Sequence, residues 1–345
     1  MRESMRAIIR SMSSLHIRRA ALQIAAVLLA AAPCGAETIK IGTVKVPASG
    51  AIYIAQERGY FAAEGIPAEL LYFESGQPIA VAATSGAVDF GATAISAGFY
   101  SLAGQGALRI VAAAAEDVPH FESQAFLVSN AAYDGGFKSL KDFPGHSYAL
   151  SQVGSSAQYA LGLIAEKYGF PIATVRILPM QSIANAVTAV TGGRADVTLN
   201  SATAELAAVK SGNARILAYL GDEKSYQFGV VFTATAKANG NADLVQRFLR
   251  AYRKGARDYH EAFTGPNGER QDGPTAPAIL DILAKYVSVP RDRLAAAVSY
   301  IDADARLDVA DVLHQVAWFK SQKLLKAEID AETLIDRRYV VPLPH

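Results

Sequence analysis

Short apolar or alternating runs, separated by amphipathic stretches and glycine-bearing turns, recur from residue 38 to residue 233. This pattern predicts strands alternating with helices. Residues 38–44 alternate as a strand, a loop covers 45–50, and a helix is expected over 51–58, stopped by Gly59. Residues 68–73 form a second strand. The chain then turns at 74–77, where Pro78 suits the first position of the next helix. A helix opens at 94–96 and ends by Gly104, followed by strands over 109–114 and 124–129. The rhythm then restarts, with a strand at 146–151, a loop at 152–156, a helix over 157–168 stopped by Gly169, and a strand at 175–178. Further strands are expected at 215–219 and 229–233, the last returning to the first unit. Strands and helices in this order imply a parallel sheet covered on both faces. From Asn241 onward the chain reads as amphipathic helices. Leu244, Val245, Phe248, Leu249 and Tyr252 make one packing stripe, Asp311, Val312, Val316, Trp318 and Phe319 lie in another such segment, and the polar stretch 267–273 reads as an exposed loop.

One phrase occurs twice. Residues 80–90 read AVAATSGAVDF and residues 186–197 read AVTAVTGGRADV, with one extra residue in the turn. Each copy has the grammar of a helix end, a tight turn and a new buried strand, at 90–92 and 197–199. Gly86, and Gly192 with Gly193, stand where a helix C-terminus favours a residue that tolerates positive φ. The duplication points to two related βα units.

The first 36 residues change the reading of composition. Arg2, Arg6, Arg10, Arg18 and Arg19 precede an alanine-rich apolar core at 20–32 that is too short to span a bilayer, and Cys34-Gly35-Ala36 supplies small residues for cleavage. This is the pattern of a secretory signal peptide. Cleavage after Ala36 is favoured over lipidation of Cys34, because Pro33 directly precedes the cysteine and Ala31 stands where such signals carry leucine. Arg18-Arg19 leaves twin-arginine export open. The leader removes five of the 33 basic residues and one of the 32 acidic ones, leaving 28 against 31 and a net charge of −3. Such a balance gives no basic face for nucleic acid. The only cysteine leaves with the leader, which excludes disulfides, thiolate metal ligation and a cysteine nucleophile from the mature chain. A soluble exported chain of 309 residues is expected, a size that suggests two domains or lobes.

In open α/β sheets ligands bind beyond the carboxyl ends of the strands. Here those turns carry small or neutral polar residues: Thr43 with Ser49, then Gln77, Thr93 with Ser96, then the run from Ser151 through Gly154, Ser155 and Ser156, then Gln181, and finally Asn200. Each lies near a predicted helix start, where unpaired N–H groups and the helix dipole favour negative charge. Taken singly each residue reads as a helix cap, as Asn200-Ser201 does. Together they form an expected ligand-binding set for a small anion, with Lys45 either offering it a cation or merely solvated.

Catalytic readings find less support. None of the six histidines is paired at metal spacing, and no serine sits in G-x-S-x-G, so no catalytic residue, metal or cofactor is expected. Glu116-Asp117 reads as a solvated loop, and Tyr53, Phe99, Tyr100 and Phe121 read as core rather than as an aromatic wall.

Several segments carry a family resemblance: Ile41-Gly42, residues 53–61 (YIAQERGYF) leading to Glu64-Gly65-Ile66, residues 85–91 (SGAVDFG), Gly154-Ser155-Ser156 and residues 193–197 (GRADV). The chain resembles the periplasmic solute-binding proteins of ABC importers for alkanesulfonates, nitrate, taurine and thiamine pyrimidine precursors. The resemblance runs from about residue 38 to 236 and is weaker through the C-terminal helices. It implies a type II periplasmic binding protein fold, with two Rossmann-like lobes, a hinge and a ligand cleft between them. Lobe 1 is expected over 37–125 and 230–345, and lobe 2 over 126–229. It further implies a monomer in the periplasm that hands a small organic anion, sulfonate-like or carboxylate, to a permease with its ATPase subunit. Asn200-Ser201 departs from the aromatic or acidic residues that sulfonate and taurine binders often carry there. Two alternatives stay open: an enzyme of the same fold, similar to pyrimidine-precursor synthases but lacking their cysteine-rich motif, and an exported ligand-sensing domain.

Overall fold

The computed structural model describes residues 38–326 and 329–344; the expected export signal and Cys34 lie outside them. Two five-stranded sheets organise the chain. The first is built from β1 (Ile39–Thr43), β2 (Ala68–Tyr72), β3 (Phe90–Ala94) and β4 (Leu108–Ala113). The chain then passes through β5 (Glu116–Asp117) into the second sheet, made of β6 (Gln124–Ser129), β7 (Ser147–Leu150), β8 (Arg176–Pro179), β9 (Val197–Ser201) and β10 (Ala214–Tyr219). It returns through β11 (Tyr226–Gln227) to place β12 (Gly229–Ala234) in the first sheet.

The spatial orders are β2-β1-β3-β12-β4 and β8-β7-β9-β6-β10, the same arrangement twice. In each sheet the fourth position holds the one antiparallel strand, and that strand is the one entered by a crossing between the sheets. The two crossings lie side by side, because β11 pairs antiparallel with β5, Tyr226 opposite Asp117 and Gln227 opposite Glu116. Glu116 and Asp117 are therefore not a solvated loop; they are 9% and 0% exposed within this ribbon.

The repeated phrase does the same work in both sheets. Gly86 ends the helix Gly76–Ser85 at φ 78°, and in the second copy Gly193 takes φ 70° while Gly192, the extra residue, keeps a negative φ of −88°. Asp89 Oδ2 accepts the Lys40 backbone N–H at 2.7 Å, and Asp196 Oδ2 accepts that of Ser147 at 2.7 Å. Each aspartate thus ties the new strand to the start of the parallel strand beside it, β1 or β7.

Several helix boundaries differ from the sequence pattern. The helix expected to begin at Pro78 begins at Gly76, with extended Ser75 before it; proline is tolerated as the third residue because that N–H has no intrahelical partner anyway. β3 extends to Ala94, so Ser96 caps the helix Ala97–Gly104 from outside, accepting the Phe99 N–H at 3.2 Å. β9 extends through Ser201, which makes Asn200 a strand residue rather than a cap.

The C-terminal helices fasten these layers. Gly255 in Ala242–Phe263 lies so close to the helix Gly50–Glu57 that a Cβ there would stand 2.1 Å from the Ala51 carbonyl oxygen. Phe248 of the same long helix stacks on Phe90 of β3 with ring centroids 3.8 Å apart. The helix Val309–Ser321 touches both halves: Tyr100 donates to Gln315 Oε1 at 3.1 Å, and Tyr159 donates to Asp311 Oδ1 at 3.0 Å. Tyr53, Phe99, Tyr100 and Phe121 are buried core residues, as expected. Among the described residues, no helix is long and apolar enough to cross a membrane.

Candidate ligand-binding cleft

The carboxyl ends of the parallel strands of both sheets converge on one cavity of about 120 Å³. Its floor and walls include the apolar side chains of Ile52, Ile95, Leu199 and Phe228. On the scale of about 10–15 Å³ per water, it has room for about ten water-sized groups. Among the described residues, no charged side chain lines it.

Eight of the eleven residues expected from the sequence meet there. Ser49, Gln77, Thr93 and Ser96 come from the first sheet's turns, and Ser151, Ser155, Ser156 and Asn200 come from the second's. Three do not reach the cavity. Thr43 is fully buried beneath it, its hydroxyl 2.8 Å from Ser49 Oγ and 3.0 Å from the Ala92 carbonyl it donates to. Gly154 sits behind the wall at φ 78°, its carbonyl accepting the Ala97 N–H at 2.8 Å. Gln181 is exposed at φ 68°, with its N–H donated to the Ser151 carbonyl at 2.7 Å. A turn residue near a strand end can satisfy the backbone as readily as face a ligand, and these three do the former.

The wall is rich in helix starts. Ser49, Ser75, Ser96, Ser155 and Ser201 each precede a helix, of eight to thirteen residues, and all five line the cavity. Helix N-termini present unpaired N–H groups and partial positive charge. Ser75 and Ser155 make no side-chain cap bond to their helices. Ser155 Oγ is completely buried and has no hydrogen-bond partner among the described residues. A buried hydroxyl left unpaired costs about 1–3 kcal/mol, so it marks a place where a bound molecule would complete the structure.

Lys45 does not enter the cavity. Its ammonium lies 4.8 Å from the Tyr72 ring centroid, at an outer concavity that also includes Glu74. Sequence reasoning missed Ser123, Gln124, Tyr252 and Ser299, all on the cavity wall. Gln124 begins the strand entered from the first sheet, Tyr252 was read only as part of a packing stripe, and Ser299 lies between the helices Arg291–Ala295 and Val309–Ser321. None follows a parallel strand, the only signal used to find the others. Among the described residues, no group of three or more His, Cys, Asp or Glu side chains could hold a metal ion.

The sequence model of the family described as "NMT1/THI5 like" matches residues 46–262. The chain belongs to the NMT1/THI5-like family. No curated protein sequence matches it. Among solved structures it is similar to the alkanesulfonate-binding protein SsuA of Xanthomonas axonopodis pv. citri, bound to MOPS, at 19% identity and a TM-score of 0.69, covering 87% of this chain and 98% of that one. The periplasmic aliphatic sulphonate-binding protein SsuA of Escherichia coli matches at 19% identity and 0.67, covering 90% and 94%. The periplasmic nitrate-binding protein NrtA of Synechocystis PCC 6803 matches at 13% identity and 0.70, covering 88% and 86%. At these identities the likeness establishes the fold. This NMT1/THI5-like chain has the two-lobed periplasmic binding protein architecture, and these three neighbours are named as binding proteins.

Proposed function

We propose that this protein is the exported solute-binding component of an ABC importer. It captures a small organic oxyanion, sulfonate first and carboxylate second, and delivers it to a membrane permease driven by its ATPase subunit. In this reading the chain works as a monomer in the periplasm, with residues 1–36 removed on export, and performs no chemistry on its guest. The β5–β11 ribbon serves as the hinge between lobe 1 (37–125 and 230–345) and lobe 2 (126–229).

The observation that carries the reading is the Ser155 hydroxyl, buried and unpaired in a wall of helix starts with no charged side chain. Hydrogen bonds to a charged group are worth roughly 1.5–3 kcal/mol each. Five or six would give on the order of 10 kcal/mol before the costs of association, against about 8 for micromolar affinity. The sulfonate- and nitrate-binding neighbours use the same architecture, which supports an anionic guest. Calorimetry and thermal shift of the purified mature protein against sulfonates, carboxylates, nitrate and amines test it, since a bound ligand raises apparent stability. Tight binding confined to cationic compounds would refute it.

A further inference from the structure

Two carboxamides face the cavity from neighbouring strands of the second sheet, Gln124 at the start of β6 and Asn200 near the end of β9. What lies behind them decides which way each points. The Thr198 hydroxyl has one proton, which it donates to the Ala149 carbonyl at 2.8 Å. Toward Asn200, 2.8 Å away, it can therefore only accept, so the NH₂ of Asn200 must turn inward. The wholly buried Glu205 stands 3.5 Å from the same NH₂. With Asp117 ionised, as it is above about pH 7, the Gln124 NH₂ is likewise drawn inward, donating to Asp117 Oδ2 and, at 3.2 Å, to the Tyr226 hydroxyl. In both residues the carbonyl oxygen is left toward the cavity, without a hydrogen bond from any described residue.

Two hydroxyls on the wall are oriented in the same sense. Ser123 donates its proton to Asp117 Oδ1, and Tyr252 donates its own to the Ala113 carbonyl at 3.0 Å. Each then offers only lone pairs to a guest. The cavity thus has two chemical faces. Helix starts and the Ser155 hydroxyl offer donors; Gln124, Asn200, Ser123 and Tyr252 offer acceptors.

The geometry points to a solute that carries hydrogen-bond donors alongside its negative charge: an amino-, amide- or hydroxyl-bearing organic anion, selected by Gln124 Oε1 and Asn200 Oδ1. This rests on the anion reading above and narrows it. A bare oxyanion would leave both carbonyls unmet or set its own lone pairs against them. Asp117 and Thr198 act as positioning residues, holding the two amides in the accepting orientation.

The test is titration calorimetry at pH 8, where Asp117 is ionised, of the mature protein, dialysed free of solute, against matched compounds. These are ethanesulfonate with 2-hydroxyethanesulfonate and 2-aminoethanesulfonate, butanoate with 4-aminobutanoate, benzoate with 4-aminobenzoate, and 2-aminoethanol as a donor without an oxyanion. The donor-bearing member of a binding set should be at least about tenfold tighter than its donor-free partner. Gln124→Met should pull that ratio toward unity. Equal or tighter binding of donor-free anions overturns the inference and leaves the anion reading standing. Binding of 2-aminoethanol alone overturns the anion reading and keeps the two acceptors. An unchanged ratio in Gln124→Met removes Gln124 from the assignment, and failure of the whole panel overturns both readings.

Discussion

The Ala97 N–H donates to the Gly154 carbonyl at 2.8 Å, joining the helix start after β3 in one sheet to the loop after β7 in the other. A Cβ on Gly154 would stand 2.9 Å from Ala97 Cβ, and the residue holds φ 78°. Only glycine fits this contact without strain. Gly154→Val should pry the two loops apart. Its apparent Kd for the solute should rise about tenfold or more, with circular dichroism unchanged; wild-type affinity in the variant would show that the contact is irrelevant to capture.

Ser155→Ala separates binding from folding. The variant loses a buried hydroxyl that has no partner, so the ligand-free melting temperature should stay level or rise. Affinity for the bound anion should fall about tenfold, corresponding to one hydrogen bond of roughly 1.5 kcal/mol. Parallel melting curves with and without solute would show both effects.

The crossing ribbon should make stability depend on pH. Burial, then the charges of Asp302, Asp308 and Asp311, pushes Glu116 up to about 8. Burial pushes Asp117 up to about 7, against the hydrogen bonds from Ser123 and Gln124. Both therefore hold protons in the folded state at pH values where the unfolded chain has released them, so stability falls as pH rises from about 4 to about 8. Asp302, Asp336 and Glu223 are shifted the other way by their cationic partners, and act only below the ordinary carboxylate range. The melting temperature should be higher at pH 5.5 than at pH 8. Glu116→Gln with Asp117→Asn should reduce that slope by on the order of a few kcal/mol, leaving the share of Glu205 and Asp311, which burial also pushes up.

Gly255→Ala tests the clamp of the long helix. The added methyl would meet the Ala51 carbonyl oxygen, a backbone atom that cannot rotate away. Overpacking of this kind costs about 1–3 kcal/mol, and chemical denaturation should show it as a lower midpoint. An unchanged midpoint would mean that the two helices slide apart without cost.

Much of this architecture was legible because the two βα units repeat. The glycines at 86 and 193 and the aspartates at 89 and 196 occupy equivalent turns, and every parallel strand has its own hydrophobic signal. The cavity residues at strand ends followed from the same rule. What the pattern could not supply were contacts made across long stretches of chain. Tyr252 lies on a stripe that buries ten other residues of its helix, and nothing local distinguishes the one that also lines the cavity. Glu116 and Asp117 looked solvated because acidic residues usually are. Their burial depends on Tyr226 and Gln227, more than a hundred positions away. Thr43 had the right position and the wrong role, since its hydroxyl closes a turn instead of facing outward.

The insertion of β12 between β3 and β4 has a consequence for assembly. Residues 39–113 leave the ribosome with a gap in the middle of their sheet, and the strand that fills it is made more than a hundred residues later. Until Gly229–Ala234 is synthesised, the amino-terminal half cannot close its hydrogen-bond ladder, whatever the state of the rest. Completion of the first sheet thus waits on the carboxyl-terminal half, so the two halves must finish together.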